Sequence, residues 1–153
     1  MGFSRVAGHF TFDAVWHLPE PAARVFDVLA AADDYGLWWP QIRSVHRIDE
    51  VTGTAVVRSL LPLPLHLRMT QLVRDEAIGR LVVELGEDLD GWARWDVAPA
   101  PGGSVATWRQ EVDVRGRWLR LGARLAPAVL RGNHEWMMRS GERGLRDHLA
   151  VRR

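Results

Sequence analysis

The sequence contains no cysteine. Disulfides, iron–sulfur clusters, zinc fingers and thiol nucleophiles are therefore excluded. Lysine is also missing: all 20 basic residues are arginine, a bias we read as codon usage rather than chemistry. No apolar run approaches the roughly 20 residues of a membrane-spanning helix, so stable membrane insertion is not expected. The opening stretch MGFSRVAGHF has neither the apolar core nor the cleavage site of a signal peptide. It begins Met-Gly, but Arg5 and Val6 depart from a myristoylation pattern. A cytoplasmic location is the expectation. Nucleophile elbow, phosphate-binding glycine loop and Rossmann fingerprint are all lacking. His9, His17, His46, His66, His134 and His148 show no close metal-ligand spacing, so neither metal nor cofactor is expected.

What is present describes a globular chain. With 153 residues, 47% hydrophobic and 25% charged, it suits one domain with one sizeable core. The net charge of +1 hides an asymmetry: residues 1–114 carry 10 arginines against 16 acids, and residues 115–153 carry 10 arginines against 3 acids. The basic third could attract an anionic partner or membrane surface. Its arginines alternate with apolar residues at helical spacing, the pattern of a solvated helix face, and no nucleic-acid partner is expected.

The pattern along the chain is one strand, helices, a run of strands and a terminal helix. HFTFDAVWHL, residues 9–18, alternates, with Phe12, Ala14, Trp16 and Leu18 on one side. LPEPAARVFDVLA follows as a helix with proline in its first turn, and Asp33 and Asp34 open a second, very short one. IRSVHRID, TAVVRSLL, LHLRMTQLVRD, RLVVELGE, GWARWDVA and SVATWRQEVDV read as six strands. Turns are expected at Thr52-Gly53, Pro62 with Pro64, Ala77 to Gly79, Asp88 to Gly91 and Pro99 to Gly103. No βαβ rhythm occurs, so the sheet should be an antiparallel meander. After Trp118 the chain is helical, with a restart at Pro127. Leu130, His134, Met137, Gly141, Leu145 and His148 share one face; Arg131, Glu135, Arg139, Arg143 and Arg146 share the other. Gly141 and Gly144 cost helix propensity, which points to close approach of another backbone.

This order of elements, with LPEPAARVF, YGLWWPQIRSV, GEDLDGWARW and NHEWMMRSGERGL as local marks, resembles the START-like, or birch-pollen-allergen-like, superfamily (SRPBCC). Within it the chain is most similar to bacterial polyketide cyclase/dehydrase and lipid-transport members. WDVAPAPGGSVATWRQEVDV is also similar to the aromatase/cyclases of aromatic polyketides. The resemblance implies an α+β helix-grip fold: a curved seven-stranded antiparallel sheet around a long C-terminal helix, with two short helices after the first strand and a cavity between sheet and helix. Trp38 and Trp39 would cap one end of that cavity, one facing the interior and one bracing the turn before Pro40. Alternatively both are core aromatics.

Strand alternation then sorts the cavity-facing side chains. Leu65, Leu67, Met69, Gln71 and Val73 fall on the inner face of the fourth strand, with His66, Arg68, Thr70 and Arg74 outside. Ala93, Trp95 and Val97 face inward on the sixth strand, and Ala106, Trp108, Gln110 and Val112 on the seventh. Glu84 is assigned to the outer face. The resemblance implies the same orientation for Trp95, Trp108 and Gln110. A glutamine facing an apolar cavity must bond something, since an unmade bond costs on the order of 1–3 kcal/mol. Gln71 and Gln110 either orient a ligand carbonyl or hydroxyl, or bond each other, His134 or trapped water. His134 is the best acid/base candidate or else a satisfied core residue. The aromatase/cyclases present an arginine and a tyrosine where this chain has Val73 and Ile42, which removes the obvious groups for aldol chemistry. Tyr35, the single tyrosine, lies near the cavity mouth.

The expected ligand-binding residues are Trp39, Leu67, Met69, Gln71, Trp95, Trp108, Gln110, His134 and Met137. The leading expectation is binding, or carriage, of a hydrophobic small molecule, polyketide-like or lipid. A cyclase, aromatase or dehydratase using Gln110 and His134 is the first alternative. An adaptor or membrane-surface protein acting through its arginine-rich C-terminal helix is the second.

Overall fold

The structure is a computed structural model and describes residues 8–151. The N-terminal stretch considered for targeting signals lies largely outside the described residues. Strand β1 (His9–Leu18) is followed by helix α1 (Ala22–Ala30) and a 3₁₀ turn (Ala32–Leu37). Six strands follow: β2 (Ile42–Arg47), β3 (Thr52–Val57), β4 (Leu65–Asp75), β5 (Arg80–Glu87), β6 (Leu89–Ala100) and β7 (Gly103–Val114). Helices α2 (Arg117–Leu125) and α3 (Pro127–Val151) complete the chain. The seven strands form one antiparallel sheet in the order β1-β7-β6-β5-β4-β3-β2. The break between α2 and α3 falls at Pro127, which has no N–H to continue a helix and starts a new one readily.

Helix α3 lies along the sheet. Its buried positions are Met138, Gly141, Leu145 and Leu149, so Leu149 rather than His148 continues the packed stripe. The glycines account for the tightness of fit. A Cβ at Gly144 would lie 1.8 Å from the Trp38 carbonyl oxygen, and one at Gly141 would lie 2.5 Å from the Trp39 ring. The arginine face of α3 is not simply solvated, contrary to the expectation. Arg146 donates to the His17 carbonyl from both Nε and Nη2, the His17 N–H donates to Glu142 Oε2 at 3.1 Å, and Arg131 reaches the Thr11 carbonyl at 3.3 Å. Strand β1 is a sheet edge, and backbone groups there need partners. Side chains of α3 supply them.

Two local expectations are corrected, and strand β4 carries a bulge. Thr52 and Gly53 belong to β3, and the reversal lies earlier, where Asp49 accepts from the Val51 and Thr52 N–H groups. Strand β3 ends at Val57, so residues 58–61, expected as strand, join the turn at Pro62 and Pro64 in a loop over 58–64. Its two prolines cannot donate to a ladder. The register of β4 against β5 shifts by one residue between Gln71 and Val73, so that Val73 pairs with Val82 and is 38% exposed. Such a bulge breaks alternation beyond it, but Val73 still borders the space enclosed by the sheet, in line with its inward assignment. Glu84 is exposed, on the outer face to which it was assigned.

The hydrophobic core is divided. One cluster joins Trp16, Trp38, Trp39, Leu81, Trp95 and Val97 to α1 and to Met138, Leu145 and Leu149 of α3. The other joins Phe10, Leu85, Leu89, Ala93, Val112 and Val114 to Ala123 of α2. Trp108 packs against both. The space between sheet and α3 is a hollow.

Candidate functional site: a cavity between sheet and helix

That hollow has a volume of about 870 Å³, within the range of small-molecule sites. All nine expected residues line it: Trp39, Leu67, Met69, Gln71, Trp95, Trp108, Gln110, His134 and Met137. Alternation in β4, β6 and β7 aims six of them; the turn before β2 supplies Trp39, and α3 supplies His134 and Met137. Leu67, Met69, Gln71 and Trp108 are only half-buried because they border the empty volume.

The tryptophans form a continuous band. Trp38 and Trp39 stack at 5.4 Å, and both meet Trp16 edge-on. Trp16 packs against Trp95 at 4.7 Å, and Trp95 against Trp108 at 4.7 Å. Trp39 lines the cavity and donates from Nε1 to the Met137 carbonyl at 3.0 Å. Trp38 does not line it; it is buried against Trp16 and Tyr35. The adjacent pair therefore divides its work, the Trp39 ring lining the interior against α3 and the Trp38 ring sealing the end against Trp16 and Tyr35.

The polar centre is small. Gln110 Oε1 accepts from Trp108 Nε1 at 3.2 Å and lies 3.1 Å from His134 Nε2. An indole N–H can only donate, so the atom facing Trp108 is the oxygen. The same oxygen faces His134, whose Nε2 must then carry the hydrogen, leaving Nδ1 as an acceptor. The imidazole stacks on Phe12 with centroids 3.9 Å apart. Burial pushes the His134 pKa down to about 4, so the ring is neutral at pH 7. No partner for the Gln110 amide NH₂ occurs among the described residues. Gln71 and Gln110 do not bond each other. The site thus offers an apolar, aromatic-walled volume, an amide donor and an imidazole acceptor.

Other lining residues went unnoticed in the sequence. Phe12 lies on the inward face of β1, a signal that could have placed it; Val83 and Leu85 follow from alternation in β5. The loop residues Leu61 to Pro64 and the start of α2 line the far end, and nothing local indicates that they would fold back. Tyr35 also lines the cavity. Its hydroxyl donates to the Leu29 carbonyl, and burial raises its pKa, with the Trp95 indole acting in the opposite direction. Ile42 and Val73 line the cavity as apolar groups. The lining charges sit at its two ends: Asp33, Arg47 and Glu50 at one, Asp88 and Arg117 at the other. Arg47 is held by Asp33 at 2.8 Å. Among the described residues, no group of three His, Asp or Glu side chains could hold a metal.

An antiparallel sheet gripping one long helix over an apolar cavity defines a helix-grip protein. The chain belongs to the polyketide cyclase / dehydrase and lipid transport family, whose model matches residues 9–150. Its fold is similar to that of a START superfamily protein from Mycobacterium smegmatis, with a TM-score of 0.73 at 9% identity over 95% of this chain and 99% of that one. It is also similar to the Zhui aromatase/cyclase from Streptomyces sp. R1128, with a TM-score of 0.64 at 15% identity over 91% of this chain and 88% of that one. A third similar structure is the di-domain ARO/CYC BexL from the BE-7585A biosynthetic pathway, with a TM-score of 0.71 at 18% identity. That match covers 95% of this chain and 51% of BexL. Curated protein sequences give no match.

Proposed function

We propose that the protein binds a hydrophobic small molecule in this cavity and carries it without covalent chemistry. The observation that carries the reading is the hollow of about 870 Å³, walled by Trp39, Trp95, Trp108, Leu67, Met69 and Met137. A core left open at this size forgoes burial that side chains could have supplied. Occupation by an apolar ligand restores it. The Gln110–His134 pair gives orientation: the amide NH₂ meets a ligand carbonyl, and Nδ1 meets a ligand hydroxyl. A planar aromatic or polyketide-like skeleton with such groups suits the aromatic walls better than a flexible chain. Val73 and Ile42, where aromatase/cyclases present arginine and tyrosine, favour carriage over cyclisation. A neutral His134 with a pKa near 4 is a poor general acid at pH 7.

Titration with a hydroxyanthraquinone tests this by quenching of tryptophan fluorescence. Saturable one-site quenching is expected. Gln110→Leu should weaken the hydroxylated probe by about ten-fold, the worth of roughly one hydrogen bond, and leave unsubstituted anthracene unchanged. Absence of saturable binding for both probes would remove the proposal. Turnover of a poly-β-ketone that is lost in His134→Ala would replace it with the cyclase reading.

A further inference from the structure

Helix α2 has three faces. Leu119 and Ala123 turn inward onto the second core cluster. Trp118, Leu121 and Leu125, at spacings of three and four, form an apolar stripe turned away from that cluster, 67%, 45% and 76% exposed, with Trp118 also bordering the cavity. Arg117, Arg120 and Arg124 form a cationic stripe between the two, and none of them makes an ion pair among the described residues. Residues 114–134 contain no acidic side chain. The loop of residues 58–64 meets this region, its Leu60 N–H donating to Asn133 Oδ1 at 3.2 Å. It adds Leu60 and Leu63, 69% and 54% exposed, and both it and α2 line the cavity's far end.

We propose that α2 and the 58–64 loop form a docking face for an anionic lipid bilayer, beside the opening through which ligand enters. Bulky exposed apolar groups flanked by unpaired arginines match the interface between acyl chains and acidic headgroups. Charge argues against a second copy as occupant. Residues 115–153 carry 10 arginines against 3 acids, so self-association here would bring like charges together. The inference deepens the proposed function by naming the surface from which an apolar molecule would be taken or to which it would be given.

The test is flotation of the full chain with vesicles of phosphatidylglycerol and phosphatidylcholine, against phosphatidylcholine alone. Binding to the anionic vesicles should be at least about ten-fold stronger and should fall between 50 and 500 mM NaCl. Arg120→Gln with Arg124→Gln, and separately Leu121→Ser with Leu125→Ser, should each reduce it by about ten-fold or more. None of these four residues lines the cavity, so hydroxyanthraquinone binding and the melting temperature should be retained. Failure of the unaltered protein to float with anionic vesicles would overturn the proposal, as would equal binding by both double variants. So would binding to polyglutamate but not to vesicles, which would indicate an acidic protein partner. A dimer in sedimentation, made monomeric by Leu121→Ser with Leu125→Ser and lacking vesicle binding, would assign the face to a second copy. Loss of the probe titration alone would remove the cavity reading and leave the vesicle result to stand or fall separately.

Discussion

His134 is half-buried in the cavity wall, stacked on Phe12 and tied to Gln110. Its pKa of about 4 in the folded protein lies below the ordinary 6.5 because burial disfavours the cation. Between those two values the unfolded chain binds the proton that the folded chain refuses. The resulting stability is complete above pH 6.5 and is lost as pH falls toward 4, by about 3 kcal/mol in all. Urea denaturation at pH 7.5 and 4.5 measures this, and His134→Phe should show a smaller difference between the two pH values than the unaltered protein. At this scale much was legible beforehand. The inward aim of Trp95, Trp108 and Gln110 follows from alternation alone, since each lies in an unbulged stretch of β6 or β7. A bond from Gln110 to His134 was among the expected alternatives; that its oxygen would also accept from Trp108 was not legible, because it depends on the side-chain conformations that the helix–sheet gap allows.

At the scale of elements, α3 packs closely on the turn before β2. Gly144 meets backbone, the Trp38 carbonyl, which cannot move aside as a flexible side chain could. Gly144→Ala would ordinarily gain helix propensity. Here the clash should dominate and lower stability by about 3 kcal/mol, read as a reduced denaturation midpoint. An unchanged or raised midpoint would show that α3 does not sit this close. The glycines signalled a close approach in the sequence, but not its partner. The arginine face of α3 shows the opposite case: Arg131 and Arg146 have the spacing of a solvated stripe, yet they serve the open edge of β1. Periodicity records which residues share a face; it does not record that an unpaired strand edge lies beside that face.

For the whole molecule, the divided core has a thermodynamic consequence. A ligand that fills the hollow binds only the folded state, so at one hundred times its dissociation constant it should add about 2.7 kcal/mol. For a chain of this length that corresponds to a rise in melting temperature of roughly 5–10 °C. Thermal denaturation with and without the hydroxyanthraquinone checks this, and the rise should shrink in Gln110→Leu. Family membership and fold were legible because element order, turn prolines and the tryptophan motifs extend along nearly the whole chain. The extent of the cavity was not. Its far end is built by the 58–64 loop, whose first four residues read as strand, and by α2, whose separation from α3 at Pro127 is legible but whose position over the cavity is not.

Local chemistry alone determined the number and order of the strands, the inner and outer faces of β4, β6 and β7, the helix restart at Pro127 and the need for a close neighbour at Gly141 and Gly144, because each depends on steric or solvation preferences of residues a few positions apart. Tertiary structure decided that the core stays open, that Trp38 seals while Trp39 lines, that His134 is neutral and that the outer stripe of α2 stays exposed among the described residues. Those outcomes depend on how much volume a bent sheet and one helix enclose, a quantity set by distances between elements rather than by any single stretch of chain.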